Sequence, residues 1–212
     1  MKEKINNSNI VFWGGEAACG TTSNMAALAS YMTFHRGYKV VIRQVEDTNG
    51  TLCRFFSKQA IVWNENEGTL LQTSAKTIKQ RKMTLIDCGK RTDEWTRQFM
   101  KKADLVVINL PQTAKAFDTF FLQHVRFSAK SVYLVSCYQK EAFYNQQKLQ
   151  WLYRIPTEQI AVVPFNPEFQ LACERGHLDR YMCKEAPFYV SETRRYFLRE
   201  LDCAMNRMIE QL

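Results

Sequence analysis

Nothing in the sequence approaches the roughly 18 uninterrupted apolar residues that a membrane-spanning helix needs. The opening residues, Met1-Lys2-Glu3-Lys4-Ile5-Asn6-Asn7-Ser8, have no apolar run of the kind a secretory leader carries. The protein is therefore expected to stay in the cytoplasm. Glycine and proline are sparse, 8 and 5 of 212 residues, while 46% of residues are apolar and 24% charged. That excludes a low-complexity or disordered chain and leaves a folded globular one. No C-x-x-C pair occurs among Cys19, Cys53, Cys88, Cys137, Cys173, Cys183 and Cys203, and none of His35, His124 and His177 stands at metal spacing from a cysteine. A zinc site has no ligand pairs to build on, and buried reduced thiols are expected. A G-x-S-x-G elbow and a Cys–His signature are missing too, which argues against a hydrolase of those kinds. Acidic residues are the minority, 21 against 29 basic, giving a net charge of +8. Such an excess favours polyanions, but it is mostly dispersed, with small clusters only at Lys76–Lys82 and Arg194-Arg195.

What is present is a rhythm. Short apolar, β-branched runs stand at Asn9–Trp13, Lys39–Ile42, Met83–Asp87, Asp104–Asn109, Val132–Ser136 and Ile160–Pro164. Helix-like stretches lie between them, from Thr22 to about Arg36 and near 91–102, 112–128 and 140–152. Runs that are apolar throughout are buried on both faces, and alternation with helices requires parallel crossovers. The expected fold is a doubly wound α/β structure with a mainly parallel sheet, in one domain over 1–212. Phe117, Phe120, Phe121 and Val125 share one helix face and read as core. The four tryptophans, Trp13, Trp63, Trp95 and Trp151, fall in separate segments and read as packing residues. An amphipathic helix closes the chain at about 193–212, with Phe197, Leu201, Ala204 or Met205, Met208 and Leu212 as its stripe. Its polar face mixes both charges, so packing on the sheet or on a second subunit is favoured over membrane binding.

Ligands of such sheets sit beyond the carboxyl ends of the strands. After the first strand comes Gly14-Gly15-Glu16-Ala17-Ala18-Cys19-Gly20-Thr21-Thr22-Ser23-Asn24, then a helix. Backbone amides and a helix dipole converge on such a turn and favour an anion. Against G-x-x-x-x-G-K-[S/T], Gly15 to Thr22 supplies both glycines and the last hydroxyl, but Thr21 replaces the lysine. A plain βα turn capped by Thr21 or Thr22 is the alternative.

The loop resembles that of the MinD/ParA ATPases, K-G-G-x-G-K-T-T. On that pattern Glu16 stands at the signature lysine, Ala17-Ala18 at the glycine pair, Thr21 at the second lysine and Thr22-Ser23 at the hydroxyls. Asn24–Ala29 is similar to the helix opening of the family. Lys39–Gly50 resembles its second strand and first switch, with Gln44 on the first aspartate and Glu46 or Asp47 on the second. Thr84–Gly89 resembles its Walker B strand, and Ala103–Leu110 the strand that follows. Ile160–Asn166 is similar to the late strand whose P-x-[D/N] turn lies against the base, with Ala172 and Gly176 following at A-x-x-x-G spacing.

The resemblance implies that Gly15, Gly20, Thr21, Thr22 and Ser23 cradle the phosphates of ATP or ADP. It implies that Thr22, Asp87 and Glu46 serve Mg²⁺, and that Pro164 and Asn166 face the base. It also implies a homodimer working with a protein partner in a larger assembly. A loop with G-T-T in place of G-K-T is similar to the TadZ/CpaE branch, which points to a localisation or assembly platform of pilus or secretion type. With Thr21 and Glu16 at the lysine positions and Gln44 at the catalytic aspartate, nucleotide binding is weakened and little or no hydrolysis is expected. A ParA-type DNA-partition ATPase and a scaffold that binds no nucleotide stand as the alternatives. Arg43, Lys90 and Arg91, near strand ends, are the candidates to replace the missing charge.

Overall fold

Strand β1 (Asn7–Gly14) sends Ile10 and Phe12 into one apolar core and Val11 and Trp13 into another, and all four are buried. Only the centre of a sheet covered on both faces accommodates that pattern. The computed structural model describes residues 7–16, 18–45, 51–64, 67–70, 82–122, 130–183 and 191–212. It places β1 between β5 (Lys82–Asp87) and β6 (Leu105–Pro111), parallel to both. Outside β5 lies β2 (Lys39–Gln44), and outside β6 come β7 (Ser131–Tyr138) and β8 (Ile160–Pro164), every pairing again parallel. A hairpin of β3 (Ile61–Asn64) and β4 (Glu67–Leu70) adds antiparallel to β2, giving the order β3-β4-β2-β5-β1-β6-β7-β8.

Helices cover both faces. On one side α1 (Thr21–Phe34), the short α2 (Thr51–Arg54), α6 (Pro167–Glu174), α7 (Leu178–Met182) and α8 (Glu192–Gln211) pack over β1, β2 and β5 to β8. On the other, α3 (Glu94–Lys102), α4 (Ala114–Leu122) and α5 (Gln146–Tyr153) bury Met100, Phe117, Phe120 and Leu149. The doubly wound α/β architecture expected from the sequence is the one observed. No described helix is long and apolar enough to cross a membrane.

Several boundaries differ from the sequence expectation, each for a local reason. Helix α3 starts at Glu94, not 91, because the Asp93 carboxylate accepts from Thr96 N and caps it there. Helix α5 starts at Gln146, not 140, because Asn145 caps Lys148 N after a turn. The β3–β4 hairpin and helices α6 and α7 were not among the expected elements. Trp95 and Trp151 are 46% and 77% exposed, not packed inside. Trp151 lies two residues from buried Leu149, which turns it to the opposite side of α5. Cys53, Cys137 and Cys203 are exposed while Cys19, Cys88 and Cys173 are buried, and all seven are free thiols. Cys137 faces outward where the β7–β8 register shifts, at φ 49°.

The closing helix is held on the sheet. Phe197, Leu201, Ala204, Met205 and Met208 are all buried beneath it, so its apolar stripe faces the core. Asp202 on its flank accepts from the Tyr31 hydroxyl at 2.9 Å and pairs with Arg36, fastening α8 to α1. Burial and that carboxylate push the Tyr31 phenol up to about 12. Leu201→Ala is expected to cost about 2–5 kcal/mol, as other buried leucine truncations do. Glu210→Ala, on the exposed side, should stay within about 0.5 kcal/mol. Denaturant unfolding of the two variants checks this, and a near-neutral Leu201→Ala would mean that α8 is not docked.

Candidate functional site

The loop after β1 is fastened at both sides. Gly14 N donates to Gly89 O at 2.7 Å, beyond β5, and Gly15 N donates to Asn109 O at 3.1 Å, on β6. The chain then folds back so tightly that a Cβ on Gly14 would stand 2.5 Å from both Cys19 Sγ and Thr21 Oγ1. These two side chains meet at 3.1 Å and are buried. Gly20 takes φ 77°, which a glycine adopts freely, but Ala18 is also left-handed at φ 56°. That conformation costs an alanine about 1–2 kcal/mol. Ala17 lies outside the described residues.

Helix α1 begins without a side-chain cap. Neither Thr21 nor Thr22 plays the capping role of the plain-turn alternative. The Thr21 hydroxyl faces Cys19, the Thr22 hydroxyl donates to Asp87 Oδ2 at 2.6 Å, and Ser23 Oγ donates back to Gly20 O at 3.0 Å. By contrast, Asp93, Thr113, Asn145, Asn166 and Ser191 supply oxygens to the first amides of α3, α4, α5, α6 and α8. The opening amides of α1 thus lack a side-chain acceptor in the turn where an anion would rest.

Asp87 ends β5 and is 4% exposed. Burial pushes its carboxyl above the ordinary range, while the hydrogen bonds from Thr22 and from Gly89 N, 2.9 Å from Oδ1, oppose that shift. In the register of the sheet Gln44, the last residue of β2, is the direct neighbour of Asp87. Its Oε1 is buried and has no hydrogen-bond partner among the described residues. An orphaned acceptor beside a carboxylate and a hydroxyl suits the waters of a hydrated Mg²⁺, which keeps most of its water shell and prefers oxygen. No described group of three or more His, Cys, Asp and Glu could hold a metal by itself. The donor set therefore fits a metal shared with phosphate oxygens. Glu46, expected to join Thr22 and Asp87, lies outside the described residues, as does Asp47.

Behind the loop sits a buried polar cluster. Asn24 Nδ2 donates to Asn109 Oδ1 at 3.0 Å and to Ser136 Oγ at 2.7 Å, tying the first turn of α1 to the carboxyl ends of β6 and β7. All three residues are buried. Sequence reading missed this set because polar residues in three separate segments announce nothing until the strands align them.

No protein-family model matches the sequence, and no curated protein sequence matches it. Solved structures do. A protein from Borrelia burgdorferi B31 described as a plasmid partition protein, bound to AMPPNP, gives a TM-score of 0.65 at 10% identity over 98% of this chain and 100% of that one. The cell division ATPase MinD of Pyrococcus furiosus gives 0.64 at 15% identity over 94% and 98%. A ParA family ATPase from Chlorobium tepidum TLS gives 0.64 at 11% identity over 93% and 98%. The chain has the MinD/ParA fold.

On that MinD/ParA fold, Thr22, Gly15, Gly20, Thr21, Ser23 and Asp87 gather around one loop. Pro164 and Asn166 stand elsewhere, at the end of the edge strand β8. Asn166 is 2% exposed, and its Oδ1 accepts from Phe169 N to cap α6. Phe165 between them is 45% exposed and is the side chain of that turn with a free surface. Of the basic candidates, Arg43 pairs with Glu67, and Arg91 pairs with Asp93 and lies over the Trp95 ring. Arg194 is held by the carbonyl of Tyr181 and lies over its ring, so only Arg195 of that basic pair is free to face solvent.

A carboxyl that holds its proton more tightly folded than unfolded lowers stability once ionised. The loss grows as pH rises from the usual carboxylate range, near 4, through the raised folded value. Asp87→Asn is therefore expected to melt above the parent near pH 8, the difference shrinking toward pH 4. A variant that melts below the parent at pH 8 would show that the two hydrogen bonds outweigh the burial cost. Ala18→Gly relieves the left-handed strain and should be neutral or stabilising by about 1 kcal/mol in denaturant unfolding, where an ordinary helical Ala→Gly loses about that much.

Proposed function

We propose that this protein is a degenerate MinD/ParA-like nucleotide-binding protein, a single domain that serves as a localisation or assembly platform of pilus or secretion type. The observation that carries this reading is the pairing of an uncapped α1 N-terminus with the Thr22–Asp87 contact at the end of β5. Loop amides and a helix dipole attract phosphate without any lysine. Thr22 would offer its hydroxyl to Mg²⁺, and Asp87 and Gln44 would accept from the metal's waters. When bound, ATP would bring its phosphate charge and the metal, and the chain would orient both. The AMPPNP bound to the Borrelia protein supports the same class of ligand here.

Catalysis is a different matter. Thr21 cannot neutralise charge between the β and γ phosphates, Glu16 brings a carboxylate instead of a second ammonium, and the Gln44 amide cannot accept a proton at neutral pH. Each missing charged hydrogen bond is worth about 1.5–3 kcal/mol, or one to two decades in affinity. Nucleotide binding persists in this reading and hydrolysis does not keep pace. The platform acts in the cytoplasm as a homodimer and through a protein partner. A ParA-type role on nonspecific DNA is the second reading, favoured by the net charge of +8.

Mg²⁺–ATP at a hundredfold excess over its dissociation constant should stabilise the protein by about 2.7 kcal/mol. Thermal melting with and without nucleotide reads this, and steady-state phosphate release should be negligible. Turnover at ordinary ATPase rates that disappears in Asp87→Ala would overturn the inactive-enzyme reading. No melting shift with ATP or ADP would leave the scaffold. DNA binding that falls steeply between low and physiological salt would move the partition reading to first place.

A further inference from the structure

The loop has no cation of its own, and the fold offers one from a neighbouring strand. Of the three basic candidates near the ends of β2 and β5, Arg43 and Arg91 are engaged in ion pairs with Glu67 and Asp93. Lys90 is exposed and has no hydrogen-bond, ion-pair or ring partner among the described residues. Its backbone is not free. The carbonyl that accepts from Gly14 N at 2.7 Å belongs to the Gly89–Lys90 peptide, so Lys90 hangs one peptide unit from the first glycine of the loop. Gly89 N is fixed to Asp87 Oδ1 at 2.9 Å, and Trp13 Nε1 donates to Arg91 O at 2.7 Å. Three hydrogen bonds thus clamp the residues on either side of Lys90 and leave only its side chain to move.

Direction matters as well. A metal held at Thr22 and Asp87 would sit on the β5 side of the loop and would draw the phosphate it neutralises toward that side. Lys90 follows Asp87 by three residues on that side. A flexible lysine with a compact charge suits a phosphate that must be gripped in one nucleotide state and released in another.

We propose that Lys90 supplies in cis the positive charge absent at Glu16 and Thr21, binding the terminal phosphate of Mg²⁺–ATP. The assignment rests on the nucleotide-binding reading and adds to it a preference for the triphosphate over the diphosphate. It also makes the Gly14–Gly89 hydrogen bond the element that holds the lysine in range.

Calorimetry with Mg²⁺–ATP and Mg²⁺–ADP on the parent, Lys90→Ala, Lys90→Arg and Lys130→Ala tests it. Lys130 is exposed just before β7, at the opposite end of the sheet, and controls for loss of one charge. Lys90→Ala should weaken ATP binding about ten- to a hundredfold and ADP binding by less than about threefold. Lys90→Arg should restore most of the loss, and Lys130→Ala should match the parent. Melting of nucleotide-free Lys90→Ala should also match the parent, because the side chain is exposed. A parent that binds ATP and a Lys90→Ala that binds it equally well overturn the Lys90 assignment alone. Equal losses for ATP and ADP overturn its placement at the terminal phosphate. A parent that binds neither nucleotide removes the nucleotide-binding reading, and this assignment with it.

Discussion

Strand β1 is hydrogen-bonded in parallel to β5 and β6, and the candidate site depends on that pairing. Register brings Phe12 opposite Asp87 and Gly14 opposite Asn109, so the chain leaving β1 must turn between two strand ends already carrying polar side chains. Backbone bonds from Gly14 to Gly89 and from Gly15 to Asn109 fix the loop to both. The short Thr22–Asp87 contact then follows from helix α1 starting where that loop ends. Shifting any of these strands by one residue would exchange the side chains that the two cores receive and take Asp87 from the loop.

The two cores show why the arrangement tolerates a costly centre. Apolar residues alternate between the faces along β1, β5 and β6, and helices cover both sides. Within that packing the sheet holds a buried carboxylate at Asp87, an unpartnered amide oxygen at Gln44 and a left-handed alanine at Ala18. Each is unfavourable for stability by itself, and all three surround one loop. Strain and unpaired polar atoms concentrate at functional sites because the surrounding fold over-determines them. Their convergence separates this turn from those after β5, β6, β7 and β8, where α3, α4, α5 and α6 begin with side-chain caps.

The substitutions and the geometry point the same way about charge. In the proposed reading, a loop without lysine would still offer amides, a hydroxyl and a carboxylate to a phosphate and its metal, which would bind and orient them but do little to neutralise a transition state. A cation delivered from the β5 loop would restore affinity for the terminal phosphate without restoring the geometry of the lost lysines.

Much of the fold was legible in the sequence because burial on both faces leaves continuous apolar runs, and the six parallel strands carry them. The loop, its hydroxyls and Asp87 were legible because their spacing along the chain is itself the signal. The closing helix was legible from its apolar stripe, although docking on α1 and the sheet was decided by Asp202 reaching Tyr31 and Arg36 from far along the chain. The β3–β4 hairpin was not legible, since strands of four residues each are too short to show a period and are ordered by pairing along the edge of β2. Nor was the fate of individual side chains. The sequence marks Asn166 as a polar residue at a turn, but packing buries it as the cap of α6 and leaves Phe165 exposed. It shows three basic residues near the ends of β2 and β5; Arg91 pairs locally with Asp93, but only a tertiary contact pairs Arg43 with Glu67, while Lys90 has no acidic partner among the described residues. The physical reason is range: periodicity and turn chemistry act within a few residues, whereas burial and charge pairing depend on segments that meet only after the sheet has formed.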